Sequence, residues 1–480
     1  MGRGLLQRAY AALPAPLQNL VFSLLGLKLR RQRYGRGFRE RLAWLRESEW
    51  CTRAQIAEYQ RTQLGTLVRH CHETVPYYRE LFDRLRLTPD DIREPADLHK
   101  LPLLTKEALR QNRDRLVSRA FDRRRLMRVL TSGTTGAPLE LLYSRAALQF
   151  QWAVWWRHRA RFGLRLGDPF LMFGARQPVP ITQERPPFWR KNYAFNQTYL
   201  STYHLTPKYM PEIVRWLNGA DFDFYTGYPS AMVVLANFIR DAELRLTNRP
   251  KYVVSGSDAL LPAFERLLRE VFGVPVTDQY GAAECCANLA RCEHGVYHED
   301  YEFGIIEALE NPADPGGARK IVGTGFANYA LPLLRYDTGD VGVFSDEPCP
   351  CGRQSRVVLR IDGRTEDYVR TPDGRMAVGM NQVFEWVPGA REMQIVQNEL
   401  ERIVVRIVKR DTWGASDEKA LLRELRSRLG DAIAIEFQFV AEIPRTASGK
   451  FRAVISTLGK TGSAAERELQ SAIENAPGAV

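Results

Sequence analysis

No apolar stretch in this chain is long enough to cross a bilayer. The longest near the start, Leu20-Val21-Phe22-Ser23-Leu24-Leu25-Gly26-Leu27, is too short, and no small-residue cleavage site follows it, so no signal peptide is expected. Cysteine is sparse: seven unevenly spaced residues in 480 make no disulfide framework. That usage suits a reducing cytoplasm and leaves metal binding open. There is no internal repeat, and no Gly-Lys-Ser/Thr at Walker spacing, which excludes a P-loop. Evenly spread positive charge is missing too. Residues 1–45 hold nine Lys or Arg and one Glu, so they carry +8 of the net +12 and leave +4 for the rest. A uniformly basic nucleic-acid binder is therefore a poor description, and no nucleic-acid partner is expected. The basic start reads as a solvated arm or helix face. The sharper alternative is a peripheral membrane or partner contact, because Leu20 to Leu27 accompany Lys28, Arg30 and Arg31.

What is present is an ordinary globular composition, 45% hydrophobic and 26% charged, in a chain too long for one core. Helical spacing covers Phe38 to Ser48 and Arg53 to Val75, where Pro76 stops it. A short helix from Thr105 and an aromatic-rich one from Ala146 to Phe162 follow. In the latter Trp152, Trp155 and Trp156 read as core rather than as a ligand-stacking stripe. From Pro207 strands and helices alternate. Strand-like Phe222 to Tyr225, Lys251 to Gly256 and Val274 to Thr277 are separated by helices starting near Pro229 and Pro262, the latter capped by Gly273. That alternation predicts a mainly parallel sheet with ligands beyond its carboxyl ends. The stretch around Trp189, Tyr193, Phe195 and Tyr199 resists assignment. Short strands and Gly-rich turns between 300 and 365 suggest a small β-subdomain, and a small α+β unit follows.

Thr131-Ser132-Gly133-Thr134-Thr135-Gly136 lies between two strand-like runs, Leu126–Leu130 and Leu139–Tyr143. Glycines that let backbone N–H groups turn inward, with hydroxyls as neutral donors, suit a polyphosphate. A solvated hairpin turn would use the same residues. Three later segments decide between these: Gln279-Tyr280-Gly281-Ala282-Ala283-Glu284, Tyr336-Asp337-Thr338-Gly339-Asp340 and Pro444-Arg445-Thr446-Ala447-Ser448-Gly449-Lys450. In this order the four resemble the adenylate-forming superfamily, and within it the phenylacetate–CoA ligase family, on its capsule- and exopolysaccharide-associated branch. The resemblance covers roughly residues 50 to 455.

It implies an α/β fold: a large N-terminal domain with mainly parallel sheets plus a small β-subdomain, then a small mobile α+β C-terminal lid. The expected division is a basic arm at 1–49, the adenylate-forming domain at 50–367 with its β-subdomain at about 300–365, the lid at 368–460 and a tail at 461–480. It further implies ATP-dependent activation of a carboxylic acid as an acyl-adenylate with pyrophosphate release, then transfer to CoA or another acceptor, in a setting such as polysaccharide biosynthesis. Ser132, Gly133, Thr134, Thr135 and Gly136 would cradle the β- and γ-phosphates, and Glu284 would bind Mg²⁺. Tyr280 and Gly281 would lie near adenine and the acyl group, Asp340 would take the ribose hydroxyls, and Arg364 would hold ribose or phosphate. Lys450 would reach the α-phosphate and the attacking carboxylate. The lid would turn about Asp367. After the Arg364 motif the chain reads Thr371-Pro372-Asp373-Gly374, unlike many acyl-CoA ligases, which leaves the acceptor open. A non-catalytic nucleotide-binding relative is the competing function. The retention of Glu284, Asp340, Arg364 and Lys450 together speaks against it.

Two Cys/His turns form a separate candidate. Cys292-Glu293-His294-Gly295-Val296-Tyr297-His298 and Cys349-Pro350-Cys351 can supply four ligands for structural Zn²⁺, with His294 as the alternative to His298. Cys285 and Cys286 are expected to pack beside the active site.

Overall fold

The computed structural model describes residues 9–130, 139–174, 176, 178–180, 183–257, 259–311, 317–364, 369–372, 376–377, 380, 383–384, 387–444 and 452–458. Two helices open it, α1 (Ala15–Arg33) and α2 (Arg36–Ser48). Helix α3 (Arg53–Thr74) starts on a capping box between Thr52 and Gln55 and stops where Pro76 begins α4 (Pro76–Leu85). Helix α5 (Lys106–Leu116) is capped by the Thr105 hydroxyl. Helix α4 docks on the main domain through Tyr78, whose hydroxyl donates to the Pro332 carbonyl at 3.2 Å and accepts from the Leu334 N–H at 2.8 Å.

Strands β1 (Met127–Leu130) and β2 (Glu140–Tyr143) pair antiparallel, with Leu130 opposite Glu140. The Ser/Thr/Gly segment therefore joins the two arms of a separate hairpin; residues 131–138 themselves lie outside the described residues. Helix α6 (Arg145–Arg161) follows, its first turn capped by Ser144.

The centre of the molecule is a twelve-stranded sheet. Its first part comprises β3 (Phe170–Gly174), β4 (Trp189–Asn192), β5 (Gln197–Ser201), β6 (Phe224–Gly227), β7 (Tyr252–Gly256) and β8 (Val276–Gly281). Between them run α7 (Met210–Asn218), α8 (Pro229–Asp241) and α9 (Pro262–Phe272), the last closed by Gly273 at φ 66°. The second part comprises β9 (Asn288–Arg291), β10 (Tyr297–Glu299), β11 (Gly304–Leu309), β12 (Arg319–Gly325), β13 (Tyr336–Ser345) and β14 (Val357–Arg364). The order across the sheet is β11-β12-β13-β14-β10-β9-β8-β7-β6-β3-β5-β4. Strands β5, β3, β6, β7 and β8 are parallel, as βαβ crossovers demand, and the others pair antiparallel. The strands expected as a subdomain at 300–365 thus begin at Asn288 and share ladder hydrogen bonds with β8 rather than standing apart.

One core lies among the first helices, α6 and the antiparallel strands; a second fills the space under α7, α8 and α9. The C-terminal unit has its own core and a four-stranded sheet. After the short pair β15 (Val369–Arg370) and β16 (Met376–Ala377) come β17 (Ala390–Glu399), β18 (Arg402–Lys409), α10 (Ala415–Leu429), β19 (Ala434–Phe439) and β20 (Val454–Ser456). Arg410 clasps this unit to α8, with NH1 at 2.9 Å from Asp241 and NH2 at 2.7 Å from Asn237. Asp367 lies outside the described residues.

From Ala15 onward the basic start is helix rather than loose arm. Helix α1 lies along β4, the edge strand, and turns a polar side to it. The Lys191 N–H donates to the Asn19 side chain at 2.9 Å and the Tyr193 N–H to the Ser23 hydroxyl at 3.0 Å. Gln18 accepts from the buried Arg190 guanidinium, and Gly26 sits so close to Asn192 that a side chain there would collide with it. An edge strand otherwise exposes such N–H groups as a template for foreign strands. This cover explains why polar residues face inward on α1.

Candidate active site and a cysteine–histidine cluster

The parallel strands end at one level, because register places Phe173 beside Gly227, Gly227 beside Ser255 and Gly256 beside Gln279. Gly227 has φ 124°, and a Cβ there would lie 2.6 Å from the Phe173 carbonyl carbon, so only glycine fits. At this rim β8 delivers Tyr280, Gly281 and, one turn later, Glu284.

Three contacts fix that turn. The Ala282 N–H bonds the Ala287 carbonyl at 3.0 Å, the Tyr143 hydroxyl of β2 donates to the Ala283 carbonyl, and Cys285 takes a left-handed φ of 59°. Cys285 and Cys286 are buried against glycines of β11 and β12. A Cβ on Gly304 or Gly323 would stand 2.7 or 2.6 Å from the Cys286 carbonyl. Both cysteines thus pack directly beneath the turn that carries Glu284. The side chain of Glu284, half-buried, accepts from the Tyr336 hydroxyl at 3.1 Å.

Strand β13 supplies the opposing wall. The Tyr280 hydroxyl donates to Asp340 at 2.6 Å; burial, and then the Asp340 charge, raise the phenol's pKa well above its ordinary value, so it keeps its proton. Asp340 stands opposite Arg364 in the β13–β14 register. Asp337 instead holds the turn, accepting from the Gly339 N–H at 2.9 Å, while the Thr338 hydroxyl ties back to the Ile321 carbonyl at 2.7 Å. The structure therefore gathers Tyr280, Gly281, Glu284, Asp340 and the backbone of Arg364. Through Tyr143 it brings the β1–β2 hairpin to the same place. Ser132, Gly133, Thr134, Thr135, Gly136 and Lys450 lie outside the described residues.

Trp155 adds a wall that the sequence reading counted as core. Its indole N–H donates to Asn288 at 3.2 Å and stands 3.4 Å from where a Cβ on Gly281 would lie. Asn288 in turn donates to Asp300, a member of a buried ion cluster in which Arg157 meets Asp300 and Glu302. One sequence signal could have found this cluster. Arg157 directly follows Trp155 and Trp156 in the aromatic run of α6, and a guanidinium that such a run carries into the core demands carboxylate partners.

The second site forms where the β9–β10 turn meets the turn between β13 and β14. Ligand atoms of Cys292, His298, Cys349 and Cys351 all lie within 4.8 Å of one another, and His294 is not among them. Cys292 and Cys349 sulfurs are 3.7 Å apart, and Cys351 Sγ is 3.2 Å from His298 Nε2. The sulfur separation is far beyond the roughly 2 Å of a disulfide. Tight turns shape both arms: the Gly295 N–H bonds the Cys292 carbonyl at 3.0 Å and the Gly352 N–H that of Cys349 at 3.1 Å. Burial, followed by the nearby Arg161 charge, lowers His298 to about 4, so its imidazole is neutral. Burial pushes Cys349 up to about 12.

A broad sheet with a Tyr-Gly-x-x-Glu turn at its strand ends, followed by a small α+β unit, is a fold already seen among solved structures. The solved structure of a 2-hydroxyisobutyryl-CoA ligase in its postadenylation state superimposes with a TM-score of 0.66 at 18% identity, over 89% of this chain and 94% of that one. The profile of the CapK C-terminal domain matches residues 370–457. Protein CapK of Staphylococcus aureus is 25% identical over 459 residues, 95% of this chain and all of that protein. A phenylacetate-coenzyme A ligase of Thermus thermophilus is 26% identical over 346 residues, 67% of this chain and 73% of that protein. Over most of its length this chain is thus similar to CapK and to phenylacetate-coenzyme A ligases, and it shares its fold with the 2-hydroxyisobutyryl-CoA ligase.

Proposed function

We propose that the protein activates a carboxylic acid with ATP as an acyl-adenylate, releasing pyrophosphate, and passes the acyl group to a thiol, CoA, or to another acceptor. The observation that carries this reading is the Tyr280–Asp340–Arg364 and Glu284–Tyr336 grouping at the carboxyl ends of the parallel strands. Such chemistry asks little of the protein beyond charge neutralisation and alignment. Asp340 has two carboxylate oxygens for vicinal hydroxyls, and Glu284 offers a hard oxygen for Mg²⁺ between phosphates. The Ser132–Gly136 loop would cradle the β- and γ-phosphates, and Lys450 would neutralise the α-phosphate and the incoming carboxylate. The capsule-gene resemblance suggests polysaccharide synthesis as the setting.

The cysteine–histidine cluster is a structural Zn²⁺ site in this reading. Two thiolate sulfurs at tetrahedral positions about 2.3 Å from zinc would be spaced by about 3.8 Å, and Cys292 and Cys349 stand at 3.7 Å. Bound there, zinc would tie the β9–β10 turn to the β13–β14 turn. Unpaired cysteines throughout fit a reducing compartment such as the cytoplasm.

Pyrophosphate release measured across a panel of carboxylic acids tests the activity. At least one acid is expected to support it, and Lys450→Ala is expected to abolish acyl-adenylate formation without altering the unfolding midpoint. No release with any acid, or full activity in the Lys450 variant, would remove the proposal or the lysine from it.

A further inference from the structure

Because the polar side of α1 is committed to the edge strand β4, its other side is left to solvent, and that side is leucine-rich. Leu17, Leu20, Leu24, Leu25 and Leu27 are 45, 53, 57, 59 and 44% exposed. Leu17, Leu20, Leu24 and Leu27 follow one another at helical spacing along a single stripe. Toward the end of the helix the stripe passes into exposed Lys28 and Arg31, and exposed Arg36 and Arg39 follow on α2. This inverts the usual surface helix, whose apolar stripe faces the core.

We infer that α1 docks the protein on a bilayer surface that carries anionic lipid, lying in the interface plane with its leucines among the upper acyl chains and its basic end on the headgroups. Charge complementarity selects this occupant. The +8 of residues 1–45 seeks a negative surface. A second copy seated on the same face would bring two such segments together. Residues 459–480 offer only Leu469, Ile473 and Val480 as large apolar side chains, too few to cover five leucines. No described helix is long and apolar enough to cross a membrane, so the contact lies along the surface. Anchoring to β4 at Asn19 and Ser23 holds the stripe outward before contact, so little ordering remains to be done on binding.

Co-sedimentation of the full chain with phosphatidylcholine vesicles, with and without phosphatidylglycerol, tests the inference, which does not depend on the enzymatic reading. Binding is expected to the anionic vesicles only and to weaken as salt rises. Leu20→Gln with Leu24→Gln is expected to weaken it by about tenfold or more, and Lys28→Gln with Arg31→Gln to weaken it at low salt. Both leucines are more than half exposed, so an unchanged urea midpoint would separate lost docking from misfolding. Absence of binding to anionic vesicles, or equal binding by the double leucine variant, would overturn it. So would a dimer that the leucine variant dissolves without any vesicle binding.

Discussion

Replacing Arg157 by methionine isolates how much the buried ion cluster contributes. The side chains of Arg157, Asp300 and Glu302 are 3, 1 and 0% exposed. Arg157 NH1 donates to Glu302 at 2.6 Å and to the Leu45 carbonyl at 3.1 Å, while NH2 serves Asp300 and the other Glu302 oxygen. Burial alone would lower the guanidinium's pKa, but the Glu302 and Asp300 charges outweigh it and raise it, so Arg157 stays ionised. Methionine fills similar length and leaves two carboxylates in the core. Arg161, at 3.8 Å from Asp300, is the remaining cation of the pair at that carboxylate. Breaking a buried pair from one side costs about 3–5 kcal/mol, and the upper half of that range is expected because Glu302 loses its guanidinium partner and Asp300 keeps only the more distant Arg161. Neutralising all three at once, Arg157→Met with Asp300→Asn and Glu302→Gln, removes the stranded charges. That variant is expected to be more stable than the single one by about 2 kcal/mol or more. Urea unfolding followed by tryptophan fluorescence would measure both. A single-variant loss below about 1 kcal/mol, or a triple variant weaker than the single one, would refute the idea that these charges stabilise only as a set.

Two further expectations follow from other buried groups. Protein purified without chelator should carry about one zinc per chain, and Cys351→Ser should lose it and unfold at lower urea; metal analysis finding none in the wild type would dismiss the site. Asp278 accepts from Ser255 at 2.5 Å and Tyr297 at 2.6 Å, yet burial raises its pKa above the ordinary 3.8 despite those bonds. The folded state therefore holds this proton more tightly, and its contribution, full below 3.8, is lost as pH rises through the folded value. Asp278→Asn cannot titrate, so its stability relative to wild type should climb by about 1.4 kcal/mol per pH unit across that window and then level off. A flat difference between the two proteins would show that Asp278 titrates normally.

Local signals carried much of the architecture. Pro229 and Pro262 mark the first turns of α8 and α9, and Gly273 closes the latter, because caps and proline constraints act within a few residues. Glu284 and Asp340 were legible through the motifs around them. What the sequence hid is the set of long-range pairings. The register that puts Asp340 beside Arg364 and the bond from Tyr280 to Asp340 each join residues far apart in the chain. The aromatic stretch from Trp189 to Tyr199 gave no clear period. Strand β4 sits at an edge, and its outer N–H groups are served by α1 rather than by another strand. Trp155 reads as core because an aromatic stripe on a helix usually is, and only the fold shows which indole reaches Gly281. The orientation of α1 was undetermined for a related reason: apolar residues lie on both its sides, and the choice rests on Asn19 and Ser23 meeting a strand about 170 residues away.

The pairing of α1 with β4 also carries a rule of dimensions. Four residues of helix rise about 6.0 Å, whereas two residues of strand advance about 6.7 Å. Asn19 and Ser23 on the helix can therefore serve Lys191 on the strand and Tyr193 just past its end, one acceptor for each outward N–H. The helix acts as a counterfeit neighbouring strand whose ruler is slightly short. Each further step adds about 0.7 Å of mismatch, so the imitation fails after two or three repeats. By Ala194 the contact has already passed to a long side chain, with Arg30 reaching its carbonyl at 3.0 Å. A helix can cap an edge in this way only if the edge is brief, and β4, at four residues, is brief enough.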